Sequence, residues 1–358
     1  MKFKKYYFEN YPLNTPFDIR NPRYVLSLDG TDEILEQIVN KPYTLEGDDF
    51  ENVQLINHLL YIGVLQSRDE KLGLAMPFFT KNDVEVLKNL SKHVAKDISE
   101  EIVAHEKYIL KIIEQVQNGY SCERNLYHLL CGHIFDGRLF DYLEEKNLVT
   151  THRVHKNGLD YLIVLYEDIK ELSAYSEKLL CSYNRYTKNG KGFVSFGDSD
   201  GIRKDFYRYS RLKELNVLPA EQRMYFEFSI EDLVENFEMI LAGKTVPKEY
   251  LEIYNFFGYC DGEKISVPVY DARAFKIAEE LYNFVLQIIE KKLTESLTVL
   301  SSETRLCAIR HGVQTKDVAN EIYHLIFGEV NELLVQNGVV AKPEYLHGEG
   351  RFFKAFEI

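Results

Sequence analysis

The stretch LYHLLCG at 126–132 returns as IYHLIFG at 322–328. After an insertion in the first copy, HIFDG at 133–137, RLFDYLEEKNLV at 138–149 runs beside EVNELLVQNGVV at 329–340. Both copies then enter a Gly-containing turn between strand-like residues, THRVHKNGLDYLIVLYED at 151–168 and KPEYLHGEGRFFKAFEI at 342–358. Upstream, KLGLAMPFFTKNDVEVLKNLSKHV at 71–94 parallels KISVPVYDARAFKIAEELYNFV at 264–285, with Pro77 matched by Pro268. Further back, YVLSLDGTDEILEQIVN at 24–40 parallels YFEFSIEDLVENFEMIL at 225–241. Several matches in one order point to an internal duplication, with two copies of one unit at about 24–168 and 225–358.

Each copy reads as two helix-rich modules that end in a β-hairpin. In the first, Asn52 is placed to cap a helix whose apolar residues Val53, Ile56, Leu59 and Leu60 recur at helical spacing, and Gly63 suits its C-terminus. VLQS and LGLAMPFF are expected to pair across Asp69 and Glu70. The next module repeats the logic: helices EKYILKIIEQV, NLYHLLC and RLFDYLEEK, then strands LVTTH and LDYLIVLY across Lys156-Asn157-Gly158. Long helices link the modules; in the second copy Ile277, Leu281, Phe284 and Ile288 form an apolar stripe expected to be buried, and a pairing of the two long connectors about a pseudo-twofold is the preferred arrangement.

Helices followed by a two-stranded hairpin resemble the winged-helix superfamily, a variant of the helix-turn-helix. The fold class expected is therefore α+β, predominantly helical, built from internally duplicated winged-helix-like modules, two per half, joined by long helices. The expected organisation is an N-terminal arm at 1–23, modules at 24–97 and 98–168, a basic aromatic-rich linker at 169–224, and the copied modules at 225–295 and 296–358.

With 358 residues, 45% of them hydrophobic, the chain can fill more than one core. The N-terminus lacks an apolar signal core and no apolar run is long enough to cross a bilayer, so a soluble cytoplasmic protein without membrane attachment is expected. The five scattered cysteines fit free thiols rather than a disulfide framework. A net charge of -13 disfavours indiscriminate polyanion binding, yet the stretch from Arg185 to Lys213 is net +5.

Several motifs invite a chemical reading. LCAIRHGVQT at 306–315 resembles the nucleophile motif of the histidine phosphatase and phosphoglycerate mutase family, which would assign Arg310 and His311 to a phosphate. That motif opens a large α/β domain, however, and only 46 residues follow Gly312; a helix ending at His311-Gly312, with Thr315 capping the next, is the preferred reading. Cys122, His128, Cys131 and His133 lack the paired spacing of a zinc site, and the second copy replaces Cys131 by Phe327, so no metal and no cofactor are expected. The Gly/Lys-rich KNGKGFVSFGDSDG at 188–201 lacks a phosphate-loop pattern and reads as a mobile or hairpin loop.

The electrostatic candidate is RKDFYRYSRLK at 203–213, in which cations alternate with rings suited to phosphate contact and stacking. The nucleic-acid-binding set is Lys188, Lys191, Arg203, Lys204, Arg208 and Arg211 from the linker, Arg138, Arg153 and Lys156 from one copy and Arg351 from the other. The resemblance implies a non-enzymatic regulator that binds double-stranded DNA as an intramolecular pseudo-dimer. The alternative is a scaffold for a protein partner, to which the acidic balance is suited; a histidine-phosphatase-like enzyme is a distant third.

Overall fold

The computed structural model describes residues 2–12, 15–169, 181–198, 203–214, 217–301, 305–344 and 351–358. Parts of the expected linker (170–180, 199–202, 215–216) and the expected turn of the last hairpin (345–350) lie outside the described residues. The chain divides into two compact units, each assembled from three separate segments: Met1–Ile98, Phe140–Leu179 and Glu290–Glu329 form the first, and Ser99–Leu139, Leu180–Ile289 and Val330–Ile358 the second. Helix and strand are both present, with helix predominant.

In the first unit, strand β1 (Phe3–Glu9) precedes helices α1 (Pro22–Val25), α2 (Thr31–Asn40) and α3 (Val53–Tyr61). Asn52 caps α3 by accepting the Leu55 N–H at 3.0 Å, and Gly63 follows it at φ 67°. Strands β2 (Leu65–Arg68) and β3 (Lys71–Leu74) form the expected hairpin, with Arg68 paired to Lys71. Asp69 and Glu70 both take positive φ, 49° and 69°, which gives the tight loop the twist of its strands. Next come β4 (Phe78–Phe79) and α4 (Lys81–Ala104).

The chain then builds part of the second unit. Helix α5 (Glu106–Ile113) and α6 (Cys122–Leu126) lead into a twelve-residue π-helix, Tyr127–Arg138, and on into α7 (Leu139–Glu145). Two helices separated by HIFDG were expected; the chain instead stays helical and widens, a rare geometry that accommodates inserted residues without a break. Gly132 permits close packing there, since a Cβ would come within 3.0 Å of the Phe196 ring.

Strand β5 (Tyr161–Glu167) returns the chain to the first unit, where the sheet order is β1-β5-β4, antiparallel to β1 and parallel to β4. The expected LVTTH/LDYLIVLY hairpin is therefore corrected to a single bridge, Val154 to Asp160, around Gly158. Other groups claim its first strand: Glu144 accepts the N–H groups of Thr151 and His152, and Thr150 donates to Lys316 O. The arm at 1–23 is likewise corrected, because β1 is an integral strand.

The segment expected to be a linker is also structured. Strands β6 (Cys181–Lys188) and β7 (Lys191–Asp198) form a hairpin over Asn189 and Gly190, followed by α8 (Phe206–Glu214) and α9 (Ala220–Arg223). Then come α10 (Ile230–Leu241), α11 (Lys248–Phe257), a short hairpin β8 (Cys260–Asp261) and β9 (Lys264–Ile265), β10 (Val269–Tyr270) and α12 (Ala272–Ser301). Helices α13 (Cys307–Arg310) and α14 (Thr315–Gln336) precede β11 (Phe352–Glu357). The second sheet has order β10-β11-β7-β6, parallel between β10 and β11 and antiparallel elsewhere. Its core gathers rings around Phe193, including Phe206, Phe237, Tyr259 and Phe356.

On α12 the buried line runs through Ile277, Ala278, Leu281, Val285 and Ile289, whereas Phe284 and Ile288 are half-buried beside it. Phe284 packs on Tyr108 of α5 at 4.5 Å within the second unit, and Lys292 reaches Asp97 of α4 at 3.6 Å within the first.

Candidate functional site

Most of the basic residues expected to meet nucleic acid are engaged by other groups of the protein. Arg203 is 2% exposed and lies inside the second unit, donating to Ser182 O, Ser182 Oγ and Ser195 Oγ at 2.7–2.9 Å, with Asp205 3.3 Å away. Arg211 is buried, Arg208 reaches Ser182 Oγ at 3.3 Å, and Lys204 lies 4.0 Å over the Phe256 ring. At the β6–β7 turn, Lys188 pairs with Glu231 at 2.8 Å and Lys191 with Glu238 at 2.7 Å, both acids belonging to α10. Arg138 pairs with Glu279, and Arg351 with Asp198, which also holds the buried Lys342 at 3.0 Å. In the first unit, Arg153 is tied to Asp317 and to Ala75 O, while Lys156 is exposed at its turn.

The physical reason is local charge matching. A guanidinium surrounded by carbonyls and a carboxylate is held in place because removing either partner strands a buried charge. Sequence reading took cation density as a surface property. It missed that Arg203 turns back to brace the carbonyls of Gly197 and Asp198 at the end of β7.

Polar clusters that sequence reading did not find lie against each sheet. In the second unit, His128 is fully buried in the π-helix, stacked on Tyr270 at 4.5 Å, with Nε2 3.6 Å from Glu357 Oε1. Glu357 also accepts Arg185 Nη2 at 3.0 Å and the Tyr183 hydroxyl. Burial opposes ionisation of Glu357, but the pull of His128, Arg185 and Tyr183 outweighs it and holds the carboxyl below the usual range. Burial pushes His133 down to about 4 and raises Asp136 well above the carboxylate range, even though Asp136 accepts the Tyr183 N–H. In the first unit, burial raises Glu321 to about 8, partly offset by the Tyr166 hydroxyl that it accepts, and lowers His324 to about 4.

His311, the residue of the Arg-His-Gly motif, is buried at the end of α13, with Gly312 beyond it at φ 70°. Its Nδ1 accepts the Leu74 N–H at 3.1 Å and its Nε2 faces Val39 O at 3.2 Å. Both nitrogens are thus engaged by the backbone, and burial lowers its pKa, so neither is available to a phosphate. Thr315 begins α14.

No family model, curated protein or solved structure matches the chain.

Among the described residues, no group of three or more His, Cys, Asp or Glu is arranged to hold a metal, and no helix is long and apolar enough to cross a membrane. A surface cleft of about 370 Å³ in the first unit is lined by Pro12, Thr15, Pro16, Arg20, Asn157 and Leu159, and its ionisable side chain, Arg20, is held by Asp18 at 2.6 Å. His128 and Glu357 have no exposed surface, which suits them to fixing π-helix against sheet rather than to meeting a substrate.

Proposed function

We propose that this chain is an internally duplicated, non-enzymatic protein-interaction scaffold whose leading modules are winged-helix-like. Duplication is supported by equivalent main-chain bonds. Leu165 N–H donates to Pro77 O at 3.0 Å in one unit, and Phe356 N–H to Pro268 O at 3.0 Å in the other. The repeated prolines thus sit at the same joint between a short parallel strand and the returning strand. The winged-helix likeness rests on α3 leading into β2–β3 and α11 into β8–β9.

The observation that carries the scaffold reading is that Arg185, Lys188, Lys191 and Arg203 of the cation cluster each meet a carboxylate of the chain itself. The helices that precede the two hairpins add no positive face: α3 has no Lys or Arg, and on α11 Lys248 is paired with Glu252 at 2.8 Å. Phosphate binding depends on cations free to displace counterions. Acid-balanced surfaces fit protein partners instead.

Duplex DNA binding tested across roughly 50–200 mM salt discriminates the readings. The scaffold predicts no salt-steep binding and no effect of K156Q, K188Q and K191Q combined, while nuclease-resistant protein partners are captured by the full chain. Steeply salt-dependent binding that those substitutions abolish would reverse the choice in favour of the DNA regulator.

A further inference from the structure

The segments that the two units exchange are counterparts in the proposed repeat. Val94 falls opposite Val285 and Arg138 opposite Glu329, so Ser99–Leu139, which completes the second unit, corresponds to Glu290–Glu329, which completes the first. Each unit is therefore closed by the copy of a segment that its own half also carries. The buried pairs Tyr127-His128 and Tyr323-His324 are alike in both copies and do not tell the segments apart.

The residue before each pair does. The bonds from Leu165 to Pro77 and from Phe356 to Pro268 align the two short parallel ladders, in which Phe79 pairs with Tyr166 and Tyr270 with Glu357. In the first unit the acid at this joint comes from the helix: Glu321 accepts the Tyr166 hydroxyl, and His324 Nδ1 lies 3.9 Å from its other oxygen. In the second the acid comes from the strand. Asn125, the counterpart of Glu321, accepts the Tyr270 hydroxyl at 2.8 Å, and His128 Nε2 lies 3.6 Å from Glu357. Glu321, Asn125 and Glu357 are all at most 1% exposed. Between helix and ladder, each joint thus holds one carboxyl and one histidine.

We propose that Glu321 and Asn125, set against Tyr166 and Glu357, decide which copy of the exchanged segment closes which unit. This rests on the duplication in the reading above and goes beyond the scaffold role. Closed by its own half, the second unit would bring Glu321 into the interior that already holds Glu357, and two carboxyls packed together there cannot both ionise. The first unit would receive Asn125 opposite Tyr166 and leave His128 with no carboxyl. A polar group that is satisfied in one arrangement and stranded in the other selects between alternatives that similar apolar packing does not separate.

The test grafts a second copy of the sequence 290–329 into the full chain in place of 99–139, once unchanged and once with Glu321→Asn in the grafted copy. Both are followed by urea unfolding. The unchanged graft is expected to unfold at a clearly lower midpoint than the graft with Glu321→Asn. Equal midpoints would sink the assignment while leaving the duplication standing; if neither graft unfolds cooperatively, the duplication falls and the proposal with it. Point variants read the same joint without a graft. Asn125→Glu is expected to lower the midpoint of the native chain, and to lower it less when Glu357→Gln is already present, a coupling that a packing defect at position 125 does not produce. An equal shift in the two backgrounds would overturn the proposal.

Discussion

Leu74 donates its backbone N–H to Nδ1 of His311 at 3.1 Å, across 237 residues of sequence. That bond, with His311 Nε2 against Val39 O and the Tyr43 hydroxyl on His311 O at 2.6 Å, makes the Arg-His-Gly tripeptide a clamp on the β2–β3 hairpin. His311→Ala leaves the Leu74 N–H and Val39 C=O unpaired in the interior. A loss of roughly 2–4 kcal/mol is expected, read as a lower denaturation midpoint, with hydrolysis of a generic phosphate ester unchanged from background. A fall in hydrolysis with stability intact would restore the phosphatase reading.

Arg203 and the β6–β7 turn lysines separate structural from surface charge. Arg203→Met strands Asp205 and several strand carbonyls, and is expected to cost about 3–5 kcal/mol. Lys188→Gln and Lys191→Gln break pairs that are about half exposed, and each should shift stability by less than about 1 kcal/mol. Equal effects in urea unfolding would contradict this division.

Buried titratable groups predict two limbs of pH dependence. Glu321 has its pKa raised to about 8 by burial, so the folded state holds a proton that the unfolded state has released. Stability from this group is complete below the ordinary carboxyl range and declines as pH rises toward about 8. Glu321→Gln should flatten that decline. His133 and His324 are lowered to about 4, so their contribution is present above the ordinary histidine range and is lost as pH falls toward about 4. His324→Phe should flatten the acid limb and leave the alkaline one; thermal midpoints measured from pH 4 to 9 check both.

Each unit needs chain from both halves of the sequence. The first contains Glu290–Glu329 and the second contains Ser99–Leu139. Fragments divided between 169 and 181, expressed separately, are expected to lack cooperative unfolding, and mixing them should restore it. A fragment that unfolds cooperatively by itself would show that the exchanged segments are dispensable.

Local order was legible in the residues themselves. Asn52, Gly63 and the Asp69-Glu70 turn act within a few residues, where capping and φ preference decide the outcome with little help from the rest of the chain. Pro77 and Pro268 each precede a short strand, β4 and β10, whose neighbouring strand donates an N–H to the proline carbonyl. Strand partnership was not legible: Asn157-Gly158 signalled a hairpin, but Glu144 and Lys316 take the backbone donors at 150–152, and β5 pairs with β1 and β4 instead. The fate of the basic residues was equally hidden, since Glu231, Glu238 and Asp317 reach their partners only after the chain has folded. The sequence by itself determined most helices, their caps and the tight turns, because these depend on neighbours along the chain. Tertiary structure decided which strands share a sheet and which charges are paired, because main-chain hydrogen bonds and ion pairs carry no address for a distant partner until packing brings it within reach.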